Sequence, residues 1–151
     1  MKHTVEKSKK KRNEDGWTFI ETIIVIAIIM ILTSTVGFMA FKYVDKAKTA
    51  TARSQIETLS LALNSYFFDT KAFPSSQQGI ASLWKKPDGT PFAEGWDGPY
   101  IEKEIKSDPW GNEYVYTVPG PHGLPFGISS YGADGTEGGE GNNADINSWE
   151  N

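Results

Sequence analysis

Four carboxylates, Asp134, Glu137, Glu140 and Asp145, fall within one short glycine-rich stretch, GADGTEGGEGNNADIN. Hard oxygen donors on a backbone freed by glycine suit Ca²⁺, which takes about 6–8 oxygens from carboxylates, carbonyls and water. The EF-hand spacing is not met, so the same residues also read as a solvated acidic loop. A phosphate loop is excluded: no lysine follows the glycines, and the carboxylates would repel phosphate. A fifth carboxylate sits in an unusual place. Between Trp17 and Phe41 only Glu21 carries a charge. A carboxylate in mid-bilayer costs about 2.5–3.5 kcal/mol, so such groups generally pair or carry function. Cutting the chain after Gly16 would supply a partner, the α-amine of Trp17, four residues from Glu21.

Other chemistry is scarce. The chain contains no cysteine, which excludes a thiol nucleophile, a thiolate metal site and a disulfide framework. Its histidines are His3, near the start, and His122, in the turn GPHG. No Ser-His-Asp or metal-hydrolase spacing is present, and the carboxylates cluster in one loop rather than facing each other across a cleft. A membrane-anchored enzyme is the remote reading.

The elements that must carry these residues follow from hydropathy. Residues 17–41 form an apolar run that, as a helix, is about 37 Å long, more than the roughly 30 Å of bilayer hydrocarbon. A secretory signal core is shorter, about 7–15 residues. Residues 42–68 stay helix-compatible, with Ala52, Ile56, Leu59, Leu63 and Tyr66 or Phe67 at spacings of three and four, the stripe of a helix that buries one face. Pro74 ends it. Turn signals fill 69–111, around a short helix expected over 75–84. Residues 113–119 (EYVYTVP) and 124–132 (LPFGISSYG) read as strands joined by GPHG, a hairpin within 112–132. In DPWGN, Asp108 to Asn112, the residue types specify a tight turn with Trp110 facing the core. Residues 133–151 form the acidic loop. The fold class is α+β: a long N-terminal helix packed on a small antiparallel sheet.

Charge sets topology. The net charge is −4, but residues 1–16 carry +3 and the rest therefore −7. An acidic body lacks the basic face nucleic acid needs. A basic leader beside an apolar span stays cytoplasmic, which places the residues after about 41 across the membrane.

The junction G-WTFIE, with Gly16, Thr18, Phe19, Ile20 and Glu21 in register, resembles the type IV pilin and pseudopilin family. Its members have a basic leader ending in glycine, then a hydrophobic start of the form F-T-L-x-E. Trp17 replaces the usual Phe or Met, Phe38 stands where a helix-bending proline is common, and Glu14 and Asp15 directly precede the glycine. Three further segments, FPSSQQGIASLW, WDGPYIEKEIKSDPWGNEYVY and SYGADGTEGGEGNNADINSW, are similar to the major pseudopilins of type II secretion systems.

The resemblance implies a structural subunit. Residues 1–16 are a leader removed after Gly16 by a membrane prepilin peptidase, and Trp17 becomes the N-methylated start. Residues 17–41 form a transmembrane and assembly helix, and 42–151 a periplasmic domain. The N-terminus is cytoplasmic and the span single-pass in the inner membrane. Glu21 pairs with a neighbouring subunit's terminal amine. Partners are further copies, other pseudopilins and inner-membrane secretion components, and the filament drives export of folded proteins. The resemblance also implies Ca²⁺ held by the side chains of Asp134 and Asp145 with the carbonyls of Tyr131 and Ile146, and Glu140 as a further contributor. The rivals are a type IV pilus pilin, which commonly has a disulfide-bounded loop, and a minor pseudopilin.

Overall fold

The computed structural model describes residues 17–150. The expected leader, with Gly16 at its end, lies outside the described residues. The chain divides into two compact units, residues 1–40 and 41–151.

Helix α1 spans Phe19–Thr70. Its start is set locally: the Thr18 hydroxyl accepts from the backbone N–H of Glu21 at 3.2 Å. With Thr and Glu three apart this is the sequence pattern of a capping box, and the acid lies in the first turn, where the helix dipole favours negative charge. In the first unit, Ile20, Ile24, Ile28 and Ile31 are exposed, as are most bulky apolar residues up to Leu32. The hydroxyls of Thr33 and Ser34 bond back to the carbonyls of Ile29 and Met30 at 2.7 and 2.9 Å, which satisfies them without leaving the helix. Among the described residues no helix is long and apolar enough to cross a membrane. The span expected over 17–41 takes in side chains, at 35, 38 and 39, that lie outside those described.

In the second unit the expected helix stripe is buried: Ala52, Leu59 and Leu63 are fully covered, and Ile56 and Tyr66 nearly so. The choice between Tyr66 and Phe67 resolves to Tyr66, and Phe67 is left exposed. The stripe packs with Leu83, Ala93, Ile101, Tyr114, Tyr116, Ile128 and Ile146. The short helix expected over 75–84 is a turn followed by a 3-10 segment, Ile80–Leu83.

The sheet has three antiparallel strands in the order β1 (Val115–Thr117), β2 (Gly127–Ser130), β3 (Ile146–Asn147). Tyr116 pairs with Ile128, and Ser130 with Ile146. The acidic segment, read from sequence as loop throughout, returns to the sheet as β3. Two residues are too few to show alternation, so nothing in DIN announces a strand. Phenols tie the layers together. Tyr114 donates to Gln55 Oε1 on α1 at 2.6 Å, and Tyr116 to the Pro74 carbonyl at 2.9 Å. Tyr100 packs edge-on against Tyr66 and donates to Asp69 Oδ2 at 2.8 Å. Burial raises the pKa of all four phenols, that of Tyr100 to about 12. For Tyr114 the Asp108 carboxylate adds to the shift.

Candidate cation loop and its root

The acidic loop is rooted on the DPWGN turn. Asp108 is 5% exposed. Its Oδ1 accepts from the backbone N–H groups of Trp110, Gly111 and Asn112 at 3.0, 2.9 and 2.9 Å. Its Oδ2 accepts from the Ser130 hydroxyl at 2.6 Å, and Ser130 Oγ in turn accepts from Gly132 N–H at 3.3 Å. Asn112 Nδ2 donates to the Gly132 carbonyl at 2.8 Å. Three backbone N–H groups and a hydroxyl thus converge on the buried Asp108, close to the point where β2 enters the loop. Asp108 is a structural anchor, with both carboxylate oxygens engaged by backbone and hydroxyl donors. Gly132 has φ +63°, and a Cβ there would lie 2.9 Å from the Asn142 carbonyl. Only glycine accepts both the conformation and the close approach.

Past this root the loop spreads its carboxylates. The ladder pair Ser130–Ile146 sets the next residue of one strand, Tyr131, beside the preceding residue of the other, Asp145. Both line a cavity of about 410 Å³, with Glu137, Asn147, Thr117 and Trp149 among the other walls. Asp145 Oδ2 accepts from Gly138 N–H at 3.0 Å, but Oδ1 is buried and has no partner. Asp134 is exposed, its Oδ1 accepting from Thr136 N–H at 3.1 Å. Glu140 is exposed and precedes a 3-10 turn, Gly141–Asn143. The Ile146 side chain is in the core. Among the described residues no three carboxylate or histidine side chains converge, and the sole ion pair, Lys106–Glu104, lies elsewhere.

The donor set fits a hard cation in one respect. An unpartnered buried carboxylate oxygen is expensive unless a proton or a metal meets it. With no gathered trio of side chains, a cation here would draw on backbone carbonyls and water as well. Glu137, although exposed, borders the cavity, and spacing alone does not show which of several acids in a glycine-rich run lies beside Asp145. His122 is exposed in a 3-10 turn, its ring 6.2 Å from that of Trp149, with no acid–base partner among the described residues.

Glu21 and Trp17 are exposed at the start of α1. The described residues thus hold a helix that presents apolar side chains outward, and a small domain without a catalytic constellation: the parts of an assembling structural subunit. Residues 39–149 match the family described as Type II secretion system (T2SS), protein G, and this chain belongs to that family. It is 42% identical to the type II secretion system core protein G of Pseudomonas aeruginosa over 142 residues, covering 94% of this chain and 99% of the relative. Identity to the corresponding protein of Vibrio cholerae is 38% over 141 residues, 93% and 95% of the two chains. Among solved structures, the major pseudopilin of the type 2 secretion system of enterohaemorrhagic Escherichia coli is similar with a TM-score of 0.60 and 32% identity, over 72% of this chain and 92% of that one. Family membership makes the protein a structural component of the secretion machine and not an enzyme.

Proposed function

We propose that the chain polymerises as a major pseudopilin, building a periplasmic filament that drives folded proteins outward. One observation carries the reading: α1 opens with a capped acidic turn and continues with exposed isoleucines at 20, 24, 28 and 31. In water such a helix must be covered. Lipid before assembly and parallel copies of itself afterwards would both cover it. Insertion with the N-terminus cytoplasmic is supported by the +3 leader and by the single charge between Trp17 and Phe41. Cleavage after Gly16 and methylation of Trp17 follow from the G-WTFIE pattern. Glu21 would then meet a neighbour's terminal amine, since an unpaired carboxylate in a helical core is strongly unfavourable.

Calcium belongs to the same proposal. Asp145, with its free buried oxygen, and Asp134 are the side-chain ligands, with the carbonyls of Tyr131 and Ile146 and a contribution from Glu140; Glu137 is a further donor facing the cavity. Bound metal would order the C-terminal loop in a chain that has no disulfide to do so.

Complementation tests the function. In a strain lacking its own major pseudopilin, the wild-type chain is expected to restore filaments and secretion, and Glu21→Ala to abolish both while leaving the domain's melting curve intact. Secretion at wild-type level with Glu21→Ala would remove the electrostatic pairing from the account.

A further inference from the structure

Asp45 is half-buried on α1, and its Oδ2 accepts a 2.6 Å hydrogen bond from Nδ2 of Asn142. The partners are 97 positions apart in the chain. Asn142 is also held from within the acidic loop. Its carbonyl accepts from Ala133 N–H at 3.0 Å, closing the loop between its two limbs. The same carbonyl sits against Gly132, where a Cβ would lie 2.9 Å away. One residue therefore has its backbone in the loop closure and its side chain on the helix. Asp45 lies about two helical turns ahead of Ala52, which is the first core residue of α1. Among the described residues this is the one side-chain hydrogen bond joining α1 ahead of Ala52 to the rest of the second unit.

We propose that Asp45 and Asn142 form a clasp linking cation binding in the acidic loop to the order of α1 over residues 41–51. The inference rests on the calcium reading above. Asn142 lies between Glu140 and Asp145, so a cation that draws the carboxylates together also fixes the backbone that presents its amide. By linkage, whatever the cation adds to the clasp the clasp returns to cation affinity. Asp45 is thus a positioning residue for the loop and not a ligand. Its role needs an acceptor oxygen, not a charge, which separates it from a general electrostatic contribution.

The test uses the full chain in detergent micelles, with calcium titrated calorimetrically and amide exchange followed with and without the metal. Wild-type protein is expected to bind calcium, with exchange over 46–52 slowed on binding. Asp45→Ala and Asn142→Ala should bind roughly fivefold or more weakly and lose the calcium-dependent slowing. Asp45→Asn, which keeps an acceptor oxygen, should retain both properties. Melting curves in EDTA, expected to be alike for all four proteins, report that the variants fold. Unchanged affinity and slowing in Asp45→Ala would overturn the clasp alone. So would equal weakening in Asp45→Asn, which would point to charge and not to the hydrogen bond. A wild-type chain that binds no calcium would overturn the clasp and the calcium reading together.

Discussion

The Ser130 hydroxyl donates to Asp108 Oδ2 at 2.6 Å, with both residues buried. This bond joins the turn before β1 to the last residue of β2, and the other oxygen of Asp108 collects three backbone N–H groups. The acidic loop begins three residues further on, at Ala133. Its placement therefore depends on a carboxylate that makes no part of the proposed cation site.

Replacing Asp108 by alanine would strand those donors. Each buried unsatisfied group costs about 1–3 kcal/mol, so Asp108→Ala should destabilise the domain by about 3 kcal/mol or more. Ser130→Ala, which removes one donor, should cost about 1–3 kcal/mol. Chemical denaturation of both variants checks the order; equal and small effects would contradict the anchoring role.

Calcium should raise the melting temperature and EDTA lower it, because a ligand that binds only the folded state adds stability by mass action. Asp145→Ala should abolish the difference between the two conditions. Glu137→Ala should shrink it more than Glu140→Ala, since Glu137 lines the cavity that Asp145 enters and Glu140 does not. Scanning calorimetry with and without metal reads all three.

Stability should also fall at high pH. The folded-state pKa values of Tyr66, Tyr100, Tyr114 and Tyr116 lie above the ordinary 10.0. A phenol whose folded pKa is raised holds its proton more tightly when folded. Its contribution is intact below about pH 10 and is lost as pH rises through the folded value. Phenolate absorbance should therefore lag behind that of free tyrosine and then rise together with unfolding. Early ionisation, near pH 10 and without loss of structure, would contradict the packing of the phenols.

Neighbouring leucines on α1 should behave differently. Leu59 is fully buried and Leu61 is 69% exposed. Leu59→Ala should cost about 2–5 kcal/mol through lost burial and the cavity left behind. Leu61→Ala should stay within about 0.5 kcal/mol for the isolated subunit. Thermal melts of the two variants suffice.

Helical periodicity was the most legible signal, because burial of Ala52, Ile56, Leu59, Leu63 and Tyr66 obeys a local 3.6-residue repeat. The DPWGN turn was readable as structure from its residue types, although its hydroxyl partner, Ser130, was not: that contact spans 22 positions. The third strand was missed because Ile146–Asn147 is defined by its pairing with β2 and by nothing in its own two residues. In the loop, sequence gave the number of carboxylates but not their directions. Asp145 is partly buried while Asp134, Glu137 and Glu140 are exposed, Glu137 at the edge of the cavity that Asp145 lines; the ladder makes that distinction, and spacing does not encode it. The Asp45–Asn142 bond had no local signal at all.

Mass spectrometry of the chain recovered from cells that carry a type II secretion system tests the central claim most directly. The account predicts a mature polypeptide that begins at N-methylated Trp17 and lacks residues 1–16. A full-length chain in the assembled, secretion-competent cells, still bearing Gly16 and the residues before it, would contradict it.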